Sequence, residues 1–135
     1  MADISITAAN VAATGTFQKQ PVQFGETVTA GQVVYLKSSD SKYWKAQADG
    51  TSEEASAAGI CLGGAAANQY GVILTGGTIT IGGTVVKGTP YFVSTTAGGI
   101  CPHADLASTN YVTLIGFATS TAIISVSFSA TGVTI

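Results

Sequence analysis

The chain has 135 residues, 46% of them hydrophobic and 9% charged, with a net charge of −2 at pH 7. That length suits one domain with a sizeable core, but the charge content falls far below the roughly 25% of an ordinary soluble domain. All five basic residues are Lys and none is Arg, the usual bidentate ligand of phosphate and guanine, so no nucleic-acid partner is expected.

The opening stretch, MADISITAAN, lacks the basic and apolar regions of a signal peptide. No run of about 18 apolar residues exists, so no membrane span is expected. The expected compartment is the cytoplasm, or a particle assembled there. Residues 1–16 are rich in Ala, Thr, Asn and Ser, and Ile4 to Gln18 carry no charge. That composition suits an extended N-terminal arm, with residues 17–135 as the single domain. Ile4, Ile6 and Val11 would each gain about 1.5–3 kcal/mol from full burial, which makes them candidate contacts with a neighbour. A frayed end, or one more strand in the same sheet, is the plainer alternative.

The periodicity is that of β-strands throughout. Val33–Leu36, the turn SSDS and Tyr43–Ala46 read as a hairpin, with an Asp49-Gly50 turn and one helical turn within Glu53–Ala58 to follow. Cys61 reads as a buried strand residue after Gly59-Ile60. Thr78–Ile81 reads as a short strand between Gly76-Gly77 and Gly82-Gly83, taken as turns. Tyr91–Ser94 and Ile100-Cys101 flank TTAGG as a second hairpin, and Ala104–Ser108 holds another helical turn. In the tail, Ile124, Val126, Phe128 and Ala130 alternate with Ser125, Ser127 and Ser129. Together these elements predict an all-β fold, a small β-barrel or sandwich.

An internal repeat runs through the prediction. TVTAGQVVYL (Thr27–Leu36) aligns with TVVKGTPYFV (Thr84–Val93) at an offset of 57 residues, which also takes Gly59 to Gly116. This predicts two pseudo-repeated halves. The copies share few side chains, so chance remains the competing explanation at this point.

Charge is unevenly spread. Nine of the twelve charged residues lie between Lys19 and Glu54, and none lies from Leu106 to Ile135. Strand edges in the uncharged parts lack the charges that usually guard them, which points to assembly. Ile124, Val126 and Phe128 therefore join Ile4, Ile6 and Val11 as candidate contacts, within a subunit core or between subunits.

Chemistry is hard to find. His103, in CPHAD, is the one histidine, and with Cys61 and Cys101 it falls short of four placed zinc ligands. No metal or other cofactor is expected. No nucleophile–base pair suggests itself, the glycine pairs open no helix, and Glu53-Glu54 reads as a solvated pair, so no catalytic residue is assigned and no enzyme is expected. Two cysteines make no disulfide framework in a reducing compartment, though a Cys61–Cys101 bridge stays open. Tyr35, Tyr43 and Trp44 could bind a sugar, so a carbohydrate-binding module is the alternative function.

The stretches GETVTAGQVVYL, KYWKAQADG, AGICLGGA, GGTITIGGTVVKGTPYFVSTTAGGI, YVTLIGFATS and the closing ATGVTI together resemble small all-β head-decoration (cement) proteins of tailed bacteriophages. This is a group encoded near major capsid genes, and the resemblance runs from about Gly25 onward. It implies a protein made in the host cytoplasm that binds the exterior of the virion capsid. Its partner would be the major capsid protein, whose capsomers it would clamp. The resemblance also implies a homo-oligomer, a trimer before a dimer, with no catalytic residues, and the N-terminal segment as the natural capsid-gripping arm.

Overall fold

The computed structural model describes residues 3–134; Met1 and Ala2 of the expected arm and Ile135 of the expected domain lie outside the described residues. Nine strands form one curled antiparallel sheet: β1 (Ala12–Gln23), β2 (Val33–Lys37), β3 (Lys42–Lys45), β4 (Gly59–Cys61), β5 (Tyr70–Thr80), β6 (Pro90–Val93), β7 (Ile100–Pro102), β8 (Tyr111–Ala118) and β9 (Ile123–Thr134). Among the described residues one α-helical turn, α1, spans Ser52–Ala55. The all-β expectation holds, in the form of a half-barrel. The expected boundary between Thr16 and Phe17 falls within β1, at a register shift against β5.

Strand order is β3-β2-β4-β5-β9-β8-β6-β7, which reads the same from either end when the two halves are exchanged. The backbone keeps the 57-residue offset closely. Val34↔Lys45, Tyr35↔Trp44 and Leu36↔Tyr43 in the first hairpin match Tyr91↔Pro102, Phe92↔Cys101 and Val93↔Ile100 in the second. Val34↔Gly59 likewise matches Tyr91↔Gly116. The entry turns agree too: Gln32 N–H donates to the Thr29 carbonyl, Thr89 N–H to that of Val86, and Gly31 and Gly88 have φ of +90° and +82°. Backbone with positive φ favours glycine, which explains why these two survive in copies that share little else.

What the copies do not share is the face turned inward. Val33, Tyr35 and Ile60 enter the main core from the first half, yet their counterparts Pro90, Phe92 and Phe117 do not. Instead Tyr91, Val93 and Ala118 fill it, with Ile100, Ile115, Ile124 and Val126. A strand's side chains alternate in direction, so exchanging the face exchanges every apolar position. A second, smaller cluster of Val22, Phe24, Val28, Val34, Cys61 and Ile73 covers the outer face of the first half.

The halves join in two places. β5 pairs with β9 through Gly77↔Val126 to Thr80↔Ile123. On the far side, Gly98 N–H donates to Ala46 O (2.8 Å), Ala48 N–H to Ser94 O (2.9 Å) and Tyr111 N–H to Ala48 O (2.8 Å). The Thr113 hydroxyl adds a bond to the Ala55 carbonyl.

Two local readings need correction. Gly76-Gly77 is no turn: both residues lie inside β5, which is eleven residues long. A Cβ on Gly77 would collide with the backbone of Thr16 and Phe17, so glycine is needed there for close approach of β1. The first helical turn begins earlier than expected because Thr51 and Glu54 form a reciprocal capping box, which sets the start at Ser52.

Candidate interaction surface

The two longest strands end in the open. β1 pairs with β5 along its length, and its outer edge makes only a parallel bridge beyond its end, Phe24↔Tyr43, among the described residues. From Gly15 to Pro21 every residue is exposed. β9 uses Ile123–Val126 against β5, and past that point its register partners all belong to β8. Ser129 to Thr134 are exposed throughout.

Along these edges no second strand lies beside the backbone among the described residues, although Val133 N–H donates to the Thr131 hydroxyl (3.3 Å). There is very little charge: Lys19 on β1 and nothing on β9. The largest exposed apolar side chains include Phe17 (37%), Tyr70 (74%), Phe117 (51%) and Val133 (60%). Phe17 and Val133 sit on the two open strands themselves. Open edges of this length, with so little charge, are templates for another strand.

The structure sorts the six contact candidates. Ile124 and Val126 are buried in the chain's own core, and Phe128 is half-buried against it. Ile4, Ile6 and Val11 are also half-buried against that core. Ile4 N–H donates to the Ile100 carbonyl and Thr7 N–H to that of Gly82, both at 2.9 Å, while Asp3 Oδ1 accepts from the Ser94 hydroxyl at 2.7 Å. Gly31 makes this seating possible, since a Cβ there would stand 2.6 Å from Ile6 Cγ2. Sequence reasoning missed the open stretch of β1. Its Thr and Gln residues face solvent on both sides, so no alternation marks it.

The opposite character appears around the β2–β3 hairpin and α1. There Glu26, Lys37, Lys45, Glu53 and Glu54 surround an open hollow of about 480 Å³ that also shows Tyr35 and Trp44. Tyr43 is not part of it, because it points to the smaller core cluster. Most of these charges already have partners within the chain. Lys45 lies 3.8 Å from Glu26, and the Ser38 amide and hydroxyl donate to Glu53, holding its carboxyl below the usual range. Burial, and then the charge of Glu54, raises the Tyr35 phenol. Trp44 has the Lys37 ammonium 4.3 Å above its ring centroid, and Gly25 lies close enough that a Cβ would strike the indole. A sugar stacking on Trp44 would first have to displace Lys37.

No protein family, curated protein or solved structure matches the chain. The surface offers no group of three or more His, Cys, Asp or Glu placed to hold a metal among the described residues. His103 stands at a 3₁₀ turn, edge-on to Phe92 at 5.6 Å between ring centroids. Cys61 and Cys101 are both buried thiols. What the surface can do is pair strands.

Proposed function

We propose that this is a structural decoration (cement) protein of a tailed-bacteriophage head. It binds the outer capsid surface as a homo-oligomer, a trimer before a dimer, and stabilises contacts between capsomers of the major capsid protein. It needs no cofactor and performs no catalysis. The observation that carries this reading is the pair of long, nearly chargeless open strand edges on an otherwise well-filled half-barrel. A protein that must meet both sister subunits and a shell needs surface of that kind, about 800 Å² for each specific contact.

The test is co-sedimentation with expanded shells of the major capsid protein encoded beside it. Saturable binding at a fixed ratio to the lattice is expected. Absence of binding to expanded shells overturns the reading. Removing residues 2–11, which stops short of β1, then asks whether the N-terminal segment grips the shell: loss of binding names it, and retention places the contact elsewhere.

The aromatic wall of the hollow favours one second reading, a carbohydrate-binding module using Tyr35 and Trp44. It requires saturable glycan binding that Trp44→Ala abolishes.

A further inference from the structure

The two halves of the fold are unequal in one respect. β5, the long strand of the first half, is paired by β4, β9 and also β1. β9 is its counterpart, and past Val126 it is paired by β8 only, among the described residues. The molecule itself thus shows what fits beside such a strand: an antiparallel strand of the β1 kind. Its own β1 is already placed against β5, but the outer edge of that β1 is open.

We infer that the outer edge of β1 in one copy pairs with the open Ser127–Thr134 edge of β9 in the next copy, head to tail. One contact of this kind covers both open edges of every subunit. A two-fold pairing of β1 with β1, or of β9 with β9, would leave the other edge bare. Charge points the same way. β9 brings no charged residue to the contact and β1 brings Lys19 alone, so no like charges meet. Two β1 strands paired about their centres would instead bring both Lys19 side chains toward the same axis.

Length also fits. Eight residues of β9 extend at most about 26 Å at ~3.3 Å per residue, and the twelve residues of β1 can span that. The reach of β9 is less where register shifts against β8, between Val126 and Ser129 and between Ala130 and Thr134, bend it, with Gly132 at φ +71°. The register shifts at Thr14/Phe17 and Gln18/Lys19, with Pro21 beyond them, interrupt the β1 edge. With the bulges of β9, they confine the ladder to a short stretch and oppose endless sheet growth. A heterologous contact closes into a ring when its rotation permits, and three copies is the number the capsid reading calls for. The inference rests on that reading for ring size only, since the pairing is a property of the protein without capsids.

The experiment is disulfide trapping in the purified full chain, because buried Cys61 and Cys101 leave the surface without competing thiols. Gln18→Cys or Gln20→Cys is combined with Ser127→Cys or Ser129→Cys, all exposed positions, and folding is checked by circular dichroism. Mild oxidation is expected to give a ladder ending at three copies in at least one double variant and no cross-link in any single variant. A mass of 13.5 kDa by light scattering at high concentration overturns the inference. So does a cross-link formed by a single variant, which signals two-fold pairing, or an oligomer that no combination traps. Capsid binding is scored separately, so failure there and failure here are different results.

Discussion

Gly116 lies on β8 where a Cβ would run into the Ser125 carbonyl oxygen of β9. That oxygen is backbone and cannot swing aside, so Gly116→Ala forces the two strands apart. A loss of about 1–3 kcal/mol in urea unfolding is expected, as for other overpacked sites. Gly63→Ala, with nothing within 4 Å of the new atom, should leave the midpoint unchanged. Cys101 makes a second residue-scale prediction. Burial, and then the negative charges of Asp3 and Asp105, push its thiol up to about 12 from an ordinary 9. The native protein should therefore resist thiol reagents at pH 8 and react once unfolded. The folded value lies above the unfolded one, so the associated stability is complete below about pH 9 and is lost as pH rises toward 12. Urea midpoints at pH 8 and pH 10.5 should differ more for the wild type than for Cys101→Ala.

At the scale of the element, β9 does two jobs along one strand. Ile124 and Val126 fill the core, while Ser129 to Thr134 stand in solvent. Ile124→Lys should give insoluble or unfolded protein, since a buried unpaired ammonium has no compensation. Ser129→Lys should fold with an unchanged circular dichroism spectrum and lose self-association on size exclusion. An oligomeric Ser129→Lys protein would remove this edge from the contact. The alternation of the tail made the core half of β9 legible, and aromatic strands around polar turns did the same for both hairpins. Two elements were not legible, for different reasons. β5 is hidden by Gly76-Gly77, because glycine reads as a turn whether it bends the chain or admits a neighbouring backbone. β1 is hidden because its exposed stretch has no buried face, and without one there is no period to see.

For the whole molecule, the repeat is legible by spacing and illegible by side chain. The offset of 57 residues keeps hydrogen-bond register and the turn glycines, while the exchange of the inward face scrambles the apolar positions. The candidate surface shows in the sequence only as missing charge, since an open edge is a fact of pairing and pairing is non-local. That uneven charge has a measurable consequence. The charged residues of the β2–β3 hairpin and α1 gather at one end of the first half, several with partners in the chain, and the open edges carry Lys19 alone. If uncharged surface outside that strand pairing, such as exposed Tyr70 and Phe117, meets the shell, attachment draws little on Coulomb attraction. Salt screens exposed charges over about 10 Å at 0.1 M and 3 Å at 1 M, but barely affects strand pairing or apolar burial. Binding to expanded shells should then change less than about threefold between 0.05 M and 0.5 M salt. A steep fall with salt would place the charged hairpin against the capsid. In that case Lys37→Gln and Lys42→Gln should reproduce the loss at low salt.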